Sequence, residues 1–439
     1  MEQDIYLNVR IADKLVGNLF PPSEESNFLY FRYDPQWIQN GFAISPHIPL
    51  GATRVAGVTI TRFLENLFPE GEALELVLER FRLSKSNTFG IIKLLGGETT
   101  GALQFFINNA EPTKTSFRFL PVSELANRLD HRANQNLIIW DDKPRLSVTG
   151  IQDKLPVTIL SNGKMGFGEG EMASTQIIKF QRLHNEAPHL VLNEFFCMKL
   201  ASNIGLPVAD IQYHLIGNHP ALIVKRFDRQ LINDNVVERK HIIDGCQALN
   251  LAPSYKYEQQ FGSSRDVEHI RDGVSMPKLI KFCQHAKVPA VAILKLLNWQ
   301  IFNLIISNMD AHGKNISFYM DKSGIEVAPY YDLVNISMYP TFEQSFAMAI
   351  GDEFNPKNIH AYQLAQFAAD CNIHFELLTK QIMLLTTKTL SVLDELPLNL
   401  VALSKNEITF IKQLKQNITT SAKRLISEAK NIKQFQSEF

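Results

Sequence analysis

The chain has 439 residues, 45% of them hydrophobic and 20% charged, which is the composition of a globular protein with apolar material for more than one core. Its 44 Lys and Arg against 45 Asp and Glu give a formal net charge of −1, so bulk charge indicates neither nucleic acid nor membrane as a partner. The cysteines are scattered without a CxxC pair and the N-terminus lacks a secretory pattern, so we predict a cytoplasmic protein with no membrane partner.

The first 125 residues alternate short strand-like runs with one helical segment, TRFLENLFPEGEALELVLERFR, at residues 61–82. This mixture predicts a small β-rich α+β subdomain over residues 1–125. The polar stretch that follows, DHRANQNLIIWDDKPR (130–145), is predicted to be a connector.

Residues 126–228 predict a second β-rich lobe, in which strands alternate with turns around one helix. The glycine-rich segment NGKMGFGEGE (162–171) lacks the glycine spacing of a dinucleotide-binding loop and opens no helix, so we predict a flexible hairpin tip there. The predicted strands are LSVTG (146–150), KLPVTIL (154–160), STQIIKFQ (174–181) and PALIVKRFD (220–228), and the predicted helix is LVLNEFFCMKLASNIG (190–205).

Residues 229–439 are mostly helical in pattern and predict a large helical C-terminal lobe. One of its helices, PAVAILKLLNWQIFNLIISN (289–308), is strongly apolar but carries polar side chains that suit a buried helix better than a membrane span. A loop and strand interrupt the helices at residues 308–334.

Within that interruption, Asp310 and Asn315 are five positions apart, directly after an apolar helix. This is the spacing of a protein-kinase catalytic loop, in which the Asp accepts the proton of the attacking hydroxyl and the Asn gives an oxygen to Mg²⁺. Asp332 follows the strand-like GIEVAP, where a second metal ligand belongs. The spacing alone is weak, because such a spacing is far more often an ordinary polar connection between a helix and a strand.

Other residues occur in the order that a kinase requires. Lys179 lies in a predicted strand and Glu194 in the next predicted helix, as in the ion pair that holds the phosphate-binding lysine. Val224–Phe227 falls where a hinge would meet adenine. Singly, Lys179 is explained as an edge-strand lysine and Glu194 as a solvent-facing charge. Their combined order predicts phosphoryl transfer from ATP with Mg²⁺.

Six segments carry a resemblance to a known family: SVTGIQDK (147–154), QIIKF, VKRFDR, DGCQALNL, MDAHGKN and PYYDLV. In this order they resemble the nucleotide loop, strand lysine, hinge, polar helix contact, catalytic loop and metal-binding segment of the HipA kinase toxins of bacterial type II toxin–antitoxin modules. The resemblance implies an α+β, two-lobed protein-kinase-like fold and a serine/threonine protein kinase that arrests growth. It further implies a small HipB-like DNA-binding antitoxin and operator DNA as partners, and glutamyl-tRNA synthetase as the protein substrate.

Carried over by motif, the resemblance makes Asp310 the catalytic base, Asn315 and Asp332 the Mg²⁺ ligands and Lys179 the phosphate-binding lysine. Two departures stand out. No glycine follows Asp332, and Lys225 occupies a hinge position where an acidic residue is expected. The other nucleotide contacts that the resemblance implies are Val148, Thr149, Gly150, Ile151, Gln152, Lys154, Arg226, Phe227, Asp228, Gln247, His312 and Lys314.

Ser147 opens the nucleotide loop and matches the family's autophosphorylation site. A phosphate there adds about −1.5 to −2 charges near the phosphates of ATP, so we expect phosphorylation of Ser147 to switch the kinase off. Without the resemblance, a strand serine bonded to a neighbour would be the simpler interpretation.

The C-terminal region contains a basic stretch, which is usually a solvated helix face. With the resemblance, this stretch and Lys380 become candidates for contacts to the DNA backbone. Two other functions stay open: a small-molecule kinase of the same fold, and a non-catalytic scaffold for antitoxin and DNA. The basic residues of the stretch are Lys405, Lys412, Lys415, Lys423, Arg424, Lys430 and Lys433.

Overall fold

The structure is a computed structural model that describes residues 5–22, 28–52, 54–108, 110, 113–145, 153–181, 186–398, 400 and 403–439. The chain divides into two compact units. The first contains Met1–Leu183, His214–Pro253 and Phe318–Gly324, and the second contains His184–Tyr213, Ser254–Ser317 and Ile325–Phe439. The domain boundaries predicted at residues 125 and 228 do not coincide with this division and stay a prediction.

The strands and helices of the described residues confirm an α+β fold. The strands are β1 (Leu7–Ile11), β2 (Lys14–Phe20), β3 (Tyr30–Tyr33), β4 (Val55–Ala56), β5 (Gln104–Ile107), β6 (Ser116–Phe119), β7 (Ile139–Trp140), β8 (Lys143–Pro144), β9 (Lys154–Ile159), β10 (Met165–Glu169), β11 (Gln176–Phe180), β12 (Ile211–Ile216), β13 (His219–Lys225), β14 (Arg229–Asn233), β15 (Val236–Arg239), β16 (Ile242–Asp244), β17 (Ser317–Asp321) and β18 (Gly324–Val327). The helices are α1 (Pro35–Asn40), α2 (Val58–Glu65), α3 (Glu72–Phe81), α4 (Thr88–Leu95), α5 (Val122–Asp130), α6 (Leu190–Asn203), α7 (Gly245–Ala248), α8 (Met276–Cys283), α9 (Pro289–Ile305), α10 (Ala361–Asp370), α11 (Phe375–Val392) and α12 (Lys405–Ala429).

The first unit begins with a five-stranded sheet in the order β4-β3-β2-β1-β5, whose neighbouring strands are antiparallel. The helical segment predicted at residues 61–82 is two helices, α2 and α3, so the prediction of a continuous segment is wrong. Pro69 cannot donate a backbone hydrogen bond, and Gly71 has a φ of +58°, which is outside the helical region.

A second, six-stranded sheet has the strand order β12-β13-β11-β9-β10-β6. Helix α5 contributes Leu125 and Leu129 to a cluster that includes Ile178 and Phe180 of β11. The predicted connector at 130–145 contains a hairpin, β7–β8, because Asp141 and Asp142 adopt positive φ values of 50° and 57° that suit a two-residue turn. This part of the prediction is corrected.

The prediction for the segment NGKMGFGEGE is also corrected, since five of its ten residues, Met165–Glu169, form strand β10, and only residues 162–164 belong to the tip of the hairpin. Gly166 and Gly168 lie in the strand where there is no room for a side chain. A Cβ atom at Gly166 would lie 2.2 Å from the carbonyl oxygen of Arg118, and one at Gly168 would lie 2.6 Å from Cβ of Met172. The glycines therefore serve close packing in the sheet.

The second unit is built around α9, whose Trp299 and Phe302 are almost completely buried. Helices α6, α8, α11 and α12 belong to the same unit, and α11 packs on α9 and α12. The helix predicted at 289–308 is confirmed as α9, the helical pattern beyond residue 334 is confirmed by α10, α11 and α12, and β17 is the strand predicted after the catalytic loop. Among the described residues, no helix combines the length and apolar character needed to cross a membrane.

Candidate active site

The loop after α9 carries the predicted catalytic residues, and the end of the helix fixes where this loop starts. Ser307 has a φ of 53°, which turns the chain out of the helix. The backbone N–H of Asn308 donates to the carbonyl of Asn303 at 2.9 Å, and its side-chain amide donates to Asn303 Oδ1 at 2.9 Å. Asn308 Oδ1 then accepts the backbone N–H of Asp310 at 3.1 Å. Asn308 therefore connects the helix to the predicted base.

The carboxylate of Asp310 is 45% exposed, unlike most of its surroundings. Its Oδ1 accepts a hydrogen bond from the hydroxyl of Tyr257 at 2.5 Å, and Nε2 of His312 lies 3.9 Å from the same oxygen. The rings of Tyr257 and His312 meet edge to face with their centroids 5.1 Å apart. The arrangement orients a partly exposed carboxylate, as a general base requires.

Asn315 ends a short 3₁₀ turn, Gly313–Asn315, and bends back onto Asp310. Its Nδ2 donates to the carbonyl of Asp310 at 2.8 Å, so the amide oxygen is the end of the side chain that remains to coordinate a cation. Nδ1 of His312 accepts the backbone N–H of Lys314 at 3.2 Å, which places the proton of a neutral His312 on Nε2. The side chain of Lys314 is only 4% exposed.

Asp332 lies in the same unit and is tied to this loop. It adopts a left-handed φ of 58°, and its carbonyl accepts the side-chain amide of Asn308 at 3.4 Å. The preceding Tyr331 donates its hydroxyl to the carbonyl of Lys314 at 2.8 Å. The predicted residues Asp310, Asn315 and Asp332 therefore belong to one hydrogen-bonded network.

The predicted phosphate lysines lie in the first unit, side by side in the six-stranded sheet. Lys179 of β11 is paired with Lys154 of β9 in an antiparallel register, so both side chains leave the same face of the sheet. This is the face opposite Ile178 and Phe180, which point into the core. Lys179 is 5% exposed. Binding of a phosphate by this pair stays a prediction.

The predicted hinge residues Arg226, Phe227 and Asp228 follow β13. The backbone N–H of Arg226 donates to the carbonyl of Thr175 at 2.9 Å, and the carbonyl of Phe227 accepts the hydroxyl of Tyr319 at 3.0 Å. These two backbone groups already have partners within the chain. An adenine contact by this segment stays a prediction.

The side chains of Arg226 and Asp228 belong to a largely buried cluster of charges, which we call the arginine cluster: Glu98, Arg226, Asp228, Arg229 and Arg239. Asp228 accepts from Arg226 Nε at 2.9 Å, from Arg229 Nη1 at 2.7 Å and from the backbone N–H of Gly101 at 2.9 Å. Glu98 lies 3.3 Å from Arg226 and 3.5 Å from Arg239. Sequence reasoning missed this cluster, because Glu98 and its partners are far apart along the chain.

The arginine cluster shifts the pKa values of its members. Burial raises the pKa of Asp228, but Arg226 and Arg229 outweigh it and hold that pKa well below its usual range. Burial, followed by repulsion from Arg226, lowers the pKa of Arg229 to about 9. These carboxylates and guanidinium groups compensate one another, and they indicate a structural role for the side chain of Asp228.

Gln247 is also held internally. It is 4% exposed, its Nε2 donates to the carbonyl of Phe63 at 3.0 Å and its Oε1 accepts the backbone N–H of Asp244 at 3.0 Å. The predicted nucleotide contact of Gln247 therefore has no support in this geometry and stays a prediction. Glu194, in α6 of the second unit, is 1% exposed, and its ion pair with Lys179 also stays a prediction.

Several predicted residues fall outside the described part of the chain: Ser147, Val148, Thr149, Gly150, Ile151 and Gln152. Lys380 lies on the exposed side of α11. Sequence reasoning also missed Tyr257, whose segment LAPSYKYEQQF has no periodic pattern and reads as an ordinary loop. Over the described ranges, no three His, Cys, Asp or Glu side chains converge as metal ligands.

Comparisons with known proteins cover nearly the whole chain. Residues 7–106 match the family model of the HipA N-terminal domain, and residues 146–395 match that of the HipA-like C-terminal domain. The serine/threonine-protein kinase toxin HipA of Shewanella oneidensis is 39% identical over 422 residues, 96% of each chain. The putative kinase Y4mE of Sinorhizobium fredii is 30% identical over 394 residues, 87% of this chain and 90% of that one.

A solved structure agrees with these matches. The complex of Shewanella oneidensis HipA, HipB and operator DNA contains a chain that is 38% identical and superposes with a TM-score of 0.89, over 98% of this chain and 99% of that one. The two family models, the relative from Shewanella oneidensis and the solved structure agree, and the chain belongs to the HipA family of serine/threonine-protein kinase toxins.

Proposed function

We propose that the chain transfers the γ-phosphoryl group of Mg·ATP to a serine or threonine of a cellular protein and thereby arrests growth. The observation that carries the proposal is the network in which Asn308 joins Asp310 to Asp332 while Asn315 bonds to the carbonyl of Asp310. Kinase catalysis depends mainly on positioning and charge stabilisation, and it uses an Asp, an Asn and a second Asp in these places.

The donor set suits Mg²⁺. The amide oxygen of Asn315 and the carboxylate of Asp332 are hard oxygen ligands, and Mg²⁺ is commonly held by one or two protein oxygens together with waters and substrate phosphates. Bound Mg²⁺ would neutralise charge on the phosphates, and Asn315 and Asp332 would hold it there.

The paired lysines of the first unit support ATP binding. Lys154 and Lys179 are cross-strand neighbours, and an anion between them would offset their repulsion. Lys179 and Glu194 are both almost fully buried, and they occur in the order in which a kinase pairs its phosphate-binding lysine with a helical glutamate. We therefore propose that Glu194 holds Lys179 and that Lys179 contacts the α- and β-phosphates.

In the reaction, the acceptor hydroxyl oxygen forms a bond to the γ-phosphorus while the bond from that phosphorus to the β-γ bridging oxygen breaks, and ADP leaves. Asp310 accepts the hydroxyl proton. Lys314, buried in the same loop, would offset charge on the transferred group.

The test is incubation of the full chain with γ-labelled ATP, Mg²⁺ and bacterial lysate. We expect label on protein with the wild-type chain and none with Asp310→Asn, while the exposed Asp394→Asn serves as the matched control and keeps full activity. Absence of label with the wild-type chain would contradict kinase activity. Label on a metabolite alone would instead indicate a small-molecule kinase.

Two finer parts of the proposal have their own readouts. Glutamyl-tRNA synthetase is the proposed acceptor, so the labelled lysate protein should have its mass and should take label when purified. Ser147 is the proposed autophosphorylation site, so wild-type chain incubated with Mg·ATP should gain the mass of one phosphate and Ser147→Ala should not. Equal intact masses of wild type and Asp310→Asn would contradict autophosphorylation.

We also propose that the chain binds a HipB-like antitoxin and, within that complex, operator DNA, since its relative of known structure is in complex with HipB and operator DNA. Lys380 is exposed on α11 and is the proposed contact to the DNA backbone. The operator affinity of the complex should fall with added salt. Lys380→Ala should reduce the slope of log affinity against log salt concentration by about one, the value for one phosphate contact. An unchanged slope would remove Lys380 from the interface.

A further inference from the structure

Residues Tyr255–Glu258, which we call the brace, contact the catalytic loop at several points. The hydroxyl of Tyr257 donates to Asp310 Oδ1 at 2.5 Å, and its ring packs edge to face on His312. The carbonyl of Lys256 accepts the backbone N–H of Gly313 at 2.9 Å. The brace therefore contacts Asp310, His312 and the backbone of Gly313.

The other side of the brace is anchored. Glu258 is 4% exposed, accepts Arg271 Nε at 2.8 Å and accepts the backbone N–H of Ala349 at 2.9 Å. The carbonyl of Tyr255 accepts the backbone N–H of Val274 at 2.9 Å. A side chain cannot be added at Gly273, because its Cβ would lie 1.8 Å from the carbonyl oxygen of Tyr257. The tyrosine thus projects from a backbone with little freedom to shift.

From these contacts we infer that Tyr257 is a positioning residue for the proposed base Asp310, an inference that rests on the kinase activity proposed above. The hydrogen bond to Oδ1 fixes rotation about the Cβ–Cγ bond of Asp310, and this rotation sets the direction from which the carboxylate accepts the substrate proton. Tyr257 keeps its own proton throughout. When Asp310 accepts the substrate proton, Tyr257 continues to donate to the same oxygen.

The experiment compares Tyr257→Phe with Tyr255→Phe in the full chain. The first change removes the hydroxyl that bonds to Asp310 and keeps the ring on His312. The second removes a hydroxyl for which no hydrogen bond is present among the described residues, two positions away in the brace. Transfer from γ-labelled Mg·ATP, the dissociation constant for Mg·ATP and the melting temperature are measured for wild type and both variants.

We expect Tyr257→Phe to lower kcat about tenfold or more, because misplacing a reacting group by about 1 Å costs up to about 100-fold. Its Mg·ATP affinity should stay within about twofold of wild type and its melting temperature should match that of Tyr255→Phe, whose kcat should also match wild type. A purely structural tyrosine would instead change binding, melting temperature and kcat together.

Equal kcat values for the two variants would overturn the inference, and so would a combined loss of kcat, ATP affinity and melting temperature in Tyr257→Phe. Wild-type chain without phosphoryl transfer would overturn the proposed function, and the inference with it. Active wild type with an inactive Asp310→Asn and an unaffected Tyr257→Phe would overturn the inference alone. Retained Mg·ATP binding shows directly that a slow Tyr257→Phe chain is folded.

Discussion

Asp228 in the first unit and Asp310 in the second are the same side chain in opposite settings. The carboxylate of Asp228 is 5% exposed and bonded to two arginines, whereas that of Asp310 is 45% exposed and bonded to a neutral tyrosine hydroxyl. The family resemblance makes both of them candidates, Asp228 for a nucleotide contact and Asp310 for the catalytic base. Their surroundings distinguish a carboxylate that stabilises the fold from one that is oriented for chemistry.

The arginine cluster shows what burial requires of charges. Three arginines, Arg226, Arg229 and Arg239, face two carboxylates, Glu98 and Asp228. The carbonyl of Thr99 and the backbone N–H of Gly101 add hydrogen bonds to the cluster. Removing one member of such a buried set leaves the others uncompensated.

The largest expected effect is on the arginine cluster. Asp228→Asn should lower the free energy of unfolding by about 3–5 kcal/mol, because Arg226 and Arg229 would stay buried without their main counter-charge. Chemical denaturation measures this change, and Asp13→Asn on the exposed β1–β2 turn is the matched control. A loss below about 1 kcal/mol would mean that the cluster does not carry the stability assigned to it.

Lowering the pH should destabilise the first unit through His241, which is 5% exposed. Burial lowers the pKa of His241 to about 4, although a hydrogen bond to the carbonyl of Ile44 partly opposes this. The unfolded chain takes up this proton near pH 6.5 and the folded chain only near pH 4. The free energy of unfolding therefore has its full value above about pH 6.5, and it falls by up to about 3 kcal/mol as the pH drops to about 4.

The measurement is the free energy of unfolding between pH 7 and pH 4 for wild type and His241→Gln, which keeps a donor for Ile44 but does not titrate. The variant should lose less stability over this range than wild type. Parallel curves would show that His241 takes up its proton at the same pH in the folded and the unfolded chain, and would contradict the lowered pKa.

Asn308 is where stability and chemistry should change together, because it bonds to Asn303, Asp310 and Asp332 while being 1% exposed. Asn308→Ala should lower the free energy of unfolding by about 2 kcal/mol, since it leaves buried groups without partners, and should slow phosphoryl transfer as well. Denaturation and labelled-ATP assays measure the two effects. Exposed Asn203→Ala in α6 should change neither, and a fast Asn308→Ala chain would show that the network does not position Asp310.

Local sequence patterns predicted the elements whose signals are local. The apolar helix α9, the strand β11 and the Asp310 to Asn315 spacing each lie within a short window, and the helix and the strand are confirmed. The glycine-rich run that forms β10 was misassigned because its requirement for glycine comes from Arg118 and Met172, residues that only the fold brings near. Tyr257 and Asp310 are 53 positions apart, and Glu98 and Arg226 are 128 apart, so no local pattern could pair them.

The smallest expected effect concerns the pair Lys154 and Lys179. Lys179 is buried, as Asp228 is, and both lysines are proposed to act on the nucleotide, as Asp310 does. Lys154→Met keeps the aliphatic stem and removes one charge beside Lys179. We expect the dissociation constant for Mg·ATP to rise about tenfold, about 1.4 kcal/mol, while the free energy of unfolding changes by less than about 0.5 kcal/mol. Titration with Mg·ATP measures the first and denaturation the second, with exposed Lys164→Met as control. A large loss of stability with unchanged ATP affinity would show that Lys154, like Asp228, stabilises the fold. Lys179 would then bind the phosphates without Lys154.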